Sequence, residues 1–84
     1  MGEPGKTVIV GYFAVLRERR GVSQERLATS AATAGQLYEE LDGRHRLGIA
    51  PRNLRAAVND RFVAWDGPIR EGDRIDFLPP SAGG

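Results

Sequence analysis

From Thr7 to Phe13 the chain is nearly all apolar and rich in β-branched residues, with Val8, Ile9 and Val10 followed by Tyr12 and Phe13. Such a run predicts an interior strand with both faces covered. It passes directly into Ala14-Val15-Leu16-Arg17-Glu18-Arg19-Arg20, which reads as a short helix. Its arginines suit the negative end of the helix dipole and Gly21 supplies the stop. Val22 to Thr29 alternates weakly and is charged, as a strand at or near a sheet edge would be. Thr33-Ala34-Gly35-Gln36 has the spacing of a capping box: the Thr33 hydroxyl accepts from the Gln36 amide, and the Gln36 side chain returns to the Thr33 amide. The helix begun there carries Leu37, Tyr38 and Leu41 on one stripe with Glu39, Glu40 and Asp42 outside, and Gly43 is its expected end.

Residues 48–51 read as a loop. Ala56-Ala57-Val58 and Arg61-Phe62-Val63-Ala64-Trp65 flank Asn59-Asp60, a pair that tolerates the positive φ of a tight hairpin turn. After the breaker Asp66-Gly67-Pro68 and the turn Glu71-Gly72-Asp73, Arg74-Ile75-Asp76-Phe77-Leu78 alternates as a last strand, which Pro79-Pro80 ends. The order strand, short helix, strand, helix, hairpin, strand predicts an α+β fold: a mixed sheet of about five strands packed on one main helix, the β-grasp arrangement. Residues 1–84 form a single domain in this reading, frayed over Met1 to Gly5 and flexible over 79–84. Val8, Val10, Tyr12, Val63, Trp65, Ile75 and Phe77 are the expected core. Phe13, Phe62 and Leu78 fall out of phase with them and share the face away from the helix, either as a partner interface or as a second minor core.

Composition removes most catalytic classes. The 84 residues contain no cysteine, hence no disulfide, thiolate nucleophile or thiolate metal site. The single histidine, His45, stands between two arginines and reads as a solvated loop residue; Arg17-Glu18 reads as a surface pair. Basic and acidic residues balance to a net charge of +1, which is no nucleic-acid footprint. No stretch is long and apolar enough for a membrane span, and no signal-peptide core follows Met1, so a cytoplasmic location is expected. There is no phosphate-binding G-x-x-x-x-G-K loop, metal cluster or catalytic triad, and no bound cofactor is expected. What remains is Pro79-Pro80-Ser81-Ala82-Gly83-Gly84. Two terminal residues without side chains can be threaded, extended, into a narrow site on another protein, and any group carried covalently falls to the Gly84 carboxylate.

Val10-Gly11-Tyr12-Phe13-Ala14 leading to Leu16-Arg17-Glu18, then Ala57-Val58-Asn59, then Gly72-Asp73-Arg74-Ile75 and the ending Leu78 to Gly84 resemble the MoaD family of molybdopterin synthase small subunits. The motifs come in that family's order over nearly the whole chain, and Pro79-Pro80 favours it over the thiazole-synthesis carrier ThiS. Asp60 in place of a glycine after Asn59, and Ser81-Ala82 in the tail, depart from its pattern. The resemblance implies a sulfur carrier in molybdenum cofactor biosynthesis. An adenylating enzyme similar to MoeB would use ATP to activate Gly84, and a sulfur donor protein would displace AMP to leave a thiocarboxylate. The tail, Pro80, Ser81, Ala82 and Gly83, would then enter a large subunit similar to MoaE and deliver sulfur to cyclic pyranopterin monophosphate. Phe13, Phe62 and Leu78 match positions that face that subunit. The alternatives are a β-grasp carrier serving thiazole, cysteine or tRNA thiolation, a protein-conjugating modifier, and a non-covalent binding module.

Overall fold

The computed structural model describes residues 5–79; the expectations for Met1 to Pro4 and for Pro80 to Gly84 lie outside the described residues. The elements are β1 (Lys6–Tyr12), α1 (Val15–Arg20), β2 (Gln24–Thr29), α2 (Ala34–His45), a 3-10 turn (Pro51–Asn53), β3 (Arg55–Val58), β4 (Arg61–Val63) and β5 (Arg74–Leu78). The sheet order is β2-β1-β5-β3-β4. β1 and β5 pair in parallel and every other pair is antiparallel. This is the mixed β-grasp sheet that the pattern predicts, with β2 on the expected edge.

Alternation divides the sheet cleanly. Val8, Val10, Tyr12, Ala56, Ile75 and Phe77 point to the inner side and are buried with Leu16, Leu37, Tyr38 and Leu41. Tyr38 of α2 meets the Phe77 ring edge-on, with centroids 5.2 Å apart, and Trp65 stacks on Phe77 at 6.0 Å. Trp65 and Val63 are half-buried at the rim, and Trp65 lies beyond the end of β4. The Tyr38 hydroxyl donates to the Ile49 carbonyl at 2.7 Å, tying down the loop after α2. Gly35 lets α2 approach closely, for a Cβ there would stand 2.9 Å from the Trp65 carbonyl oxygen.

Four expectations are corrected. β1 is interior, but only its inner face is covered by the core; on the other face the Asp76 and Arg74 side chains lie over Gly11. The Thr33 hydroxyl accepts from the Gln36 amide as expected, whereas the Gln36 side chain caps the Ala32 amide at 2.8 Å rather than that of Thr33. α2 does not stop at Gly43. It runs to His45 and ends on Arg46 in the left-handed region (φ 55°), whose amide donates to the Asp42 carbonyl. His45 is accordingly a half-buried residue of the helix's last turn, not a loop residue. The hairpin turn follows the sequence reading: Asn59 and Asp60 have φ of 51° and 71°, the paired positive values of a type I′ turn.

Candidate functional site: the outer sheet face and the base of the tail

One row of residues crosses all five strands on the outer face: Gln24, Gly11, Asp76, Ala57 and Phe62, in register from β2 to β4. The row above it, toward the end of β5, holds Leu78 opposite Arg55, with Phe13 one residue past β1. Phe13, Phe62 and Leu78 therefore do share the face away from α2, as their phase in the sequence predicts. Phe62 is 59% exposed and Phe13 39%, while Leu78 is half-covered. A second minor core is not what these residues make. The Arg55 guanidinium lies 4.0 Å from the centroid of the Phe62 ring, a cation–π contact that shields one side of the ring and leaves the patch rimmed by positive charge.

The patch is held in shape from beneath. Ala14 joins Phe13 to α1 at φ 53° and ψ −125°, a region that side-chain-bearing residues rarely enter. The strain is imposed by the neighbours: the Leu16 amide bonds back to the Phe13 carbonyl at 3.0 Å and α1 ends on Gly21 in the left-handed region. Behind the turn the Tyr12 hydroxyl donates to Glu25 Oε2 at 2.6 Å, and Arg20 binds both Glu25 oxygens at 3.0 and 2.6 Å. The hydrogen-bonded Arg20 holds the Glu25 carboxyl below its usual range. Burial, reinforced by the Glu25 charge, pushes the Tyr12 phenol far above its usual value. These groups stay ionised and neutral, respectively, near neutral pH, and weld α1 to the edge strand.

Sequence reasoning did not single out Arg55, nor the set Gly11, Arg74 and Asp76. Arg74 Nε donates to Asp76 at 3.1 and 3.3 Å and Nη1 to Gln24 at 3.2 Å. The one legible signal was a glycine inside an otherwise apolar strand. Among the described residues no group of three His, Cys, Asp or Glu side chains is placed to hold a metal ion. An open depression lies on the outer face at the opposite end of the sheet, lined by Thr7, Ile9, Arg26 and Glu71. Among the described residues no helix is long and apolar enough to cross a membrane. The candidate tail residues Pro80, Ser81, Ala82, Gly83 and Gly84 lie outside the described residues. β5 leads toward them beside Phe13 and Arg55.

A family model, that of the ThiS family, matches residues 10–84. The chain belongs to the ThiS family. Within it, the chain is 33% identical over 76 residues to the molybdopterin synthase sulfur carrier subunit of Escherichia coli, a match covering 87% of this chain and 94% of that one. The structure superposes on a molybdopterin converting factor subunit 1 from Pyrococcus furiosus, described as putative in its own name, with a TM-score of 0.75 and 31% identity, over 90% of this chain and 99% of that one. It also superposes on a chain of the complex of subunits 1 and 2 of the molybdopterin-converting factor from Helicobacter pylori, with a TM-score of 0.64 and 26% identity, over 93% and 99% of the two chains. The ThiS-family match takes in the whole tail, and both structural neighbours share the sheet and helix described above.

Proposed function

We propose that this protein is the sulfur carrier subunit of a molybdopterin synthase, its Gly84 carboxylate being the group that carries sulfur. The observation that carries the reading is the match to the Escherichia coli sulfur carrier subunit across 94% of that protein. The exposed apolar patch beside the root of the tail supports it, because a carrier must dock before its end can react. An adenylating partner joins the Gly84 carboxylate to AMP, releasing pyrophosphate from ATP. A sulfur donor protein then displaces AMP, leaving a thiocarboxylate. The chain needs no cofactor of its own, since ATP belongs to the activating partner. Delivery takes place on a large subunit, which fits the two-subunit assembly named for the Helicobacter pylori neighbour, and we place this chemistry in the cytoplasm, where ATP is supplied.

The test is intact-mass spectrometry of the full chain after incubation with the activating enzyme, ATP and a sulfur donor. One carboxylate oxygen should be replaced by sulfur, and fragmentation should place it on Gly84. Sulfur on any other residue defeats the assignment. ThiS-family membership also admits a carrier for another thiolation pathway. Co-purification separates the two: a molybdopterin synthase large subunit supports the reading, and a thiazole synthase overturns it.

A further inference from the structure

Gly11 lies mid-strand in β1, and its φ is not among the positive values that favour glycine. Space, not conformation, demands glycine here. A Cβ at Gly11 would stand 2.1 Å from Asp76 Oδ1 and 3.1 Å from Arg74 Nη2. The Asp76 carboxylate and the Arg74 guanidinium therefore occupy the volume a side chain at Gly11 would fill, over β1. Asp76 is 6% exposed although it faces outward, while the Arg74 side chain keeps 39% of its surface. Glycine weakens a strand interior, and a buried ion pair is often no more stabilising than an apolar pair of the same volume.

The pinned guanidinium is only partly spent. Of its five N–H groups, Nε serves Asp76 and one hydrogen of Nη1 serves Gln24. Nη2 donates to no acceptor among the described residues, so it and the second hydrogen of Nη1 are left for an incoming acceptor on a side chain that is 39% exposed. Arg26 pairs with Ile9 from the other side, and its side chain lines the depression at the far end of the sheet with Glu71. Arg55, over the Phe62 ring, makes no ion pair among the described residues, so Arg55 and Arg74 against Asp76 leave a local charge of +1 beside the Phe13, Leu78 and Phe62 patch.

We propose that Arg74, laid across Gly11 and held by Asp76 and Gln24, is a specificity contact that takes one Asp or Glu carboxylate of the partner protein docking over Phe13, Phe62 and Leu78. The proposal rests on the reading that the large subunit docks on this face. A carboxylate that takes the unpartnered Nη2 and remaining Nη1 hydrogens makes charge-assisted hydrogen bonds and neutralises the excess charge as the face is dried. A partner that is apolar but lacks the carboxylate would bury the guanidinium edge unpaired and be rejected.

The experiment is titration of the purified large subunit with the full-length carrier. Arg74→Ala should weaken binding roughly 10- to 100-fold, and Arg74→Lys should recover only part of it, because an ammonium cannot present the fork. Arg74→Glu should bind more weakly still and be rescued by charge reversal of a single acidic residue on the large subunit. Since Arg74→Ala leaves Asp76 unpaired, Arg74→Ala/Asp76→Ala is measured beside it: an equal loss supports the proposal, and wild-type affinity in the double variant overturns it. Phe62→Asp separates the two readings. If Phe62→Asp weakens binding strongly while Arg74→Ala stays within about twofold of wild type, the docking face stands and the Arg74 contact falls. If neither variant binds differently from wild type, both fall.

Discussion

At the scale of single residues, the strained and the ionised positions gather around the turn from β1 to α1. Ala14 holds a backbone conformation suited to glycine, with φ 53° and ψ −125°. Ala14→Gly should therefore raise stability by about 1 kcal/mol, strain relief of ~1–3 kcal/mol exceeding the extra freedom glycine gives the unfolded chain. Denaturant unfolding decides it, and a loss of stability would mean that Ala14 is not strained. Glu25 makes a prediction with a sign. Its folded pKa lies below the ordinary 4.5, chiefly through Arg20, so its stabilisation is present above the unfolded value and disappears as pH falls through the folded one. Glu25→Gln should cost about 1–2 kcal/mol at pH 7, and the gap from wild type should close on acidification below pH 4.5. A gap that is constant from pH 7 to pH 3 would deny the ion pair this role.

At the scale of elements, sequence alone is reliable where one local rule acts unopposed. The hairpin was legible because Asn59 and Asp60 tolerate the positive φ that both adopt. The end of α2 was not, because Gly43 resembles a stop while the true stop depends on tertiary partners. Asp42 Oδ1 accepts from the Gly48 amide at 2.8 Å, and Arg19 Nη1 donates to the Leu47 carbonyl at 2.7 Å, so the chain is held helical past the glycine. The patch of Phe13, Phe62 and Leu78 was legible from its phase, a local property. The Arg74–Asp76–Gly11 set was not, since it depends on the register of β1 against β5, which no pattern within one strand reveals. Gly43 is thus an interior helical residue with nothing within 4 Å of the Cβ it lacks. Gly43→Ala should stabilise the protein by about 0.5–1 kcal/mol, whereas Leu41→Ala, at 0% exposure, should cost roughly 2–5 kcal/mol. Thermal melts of the two variants should move in opposite directions. Destabilisation by Gly43→Ala would return the helix end to Gly43.

At the scale of the whole molecule, the proposed function gives docking and delivery to different parts: the outer face of the sheet, and the tail. Phe62→Asp places a charge where a partner would exclude water. It should weaken large-subunit binding by roughly 2–4 kcal/mol while leaving the fold intact, because Phe62 is 59% exposed in the free protein. Gly83→Val should act the other way. A β-branched side chain restricts the backbone and widens the segment that the proposed delivery threads into a narrow site, so the carrier should still bind through its sheet while sulfur fails to reach the pterin precursor. Binding titration and single-turnover conversion of the precursor read the two functions separately. In this division of labour Phe62→Asp shifts the concentration needed for half-maximal conversion, and saturating carrier restores the rate. Gly83→Val lowers the rate at every concentration. A Gly83→Val carrier that transfers sulfur at the wild-type rate would remove the threaded tail from the mechanism, even with the docking face intact.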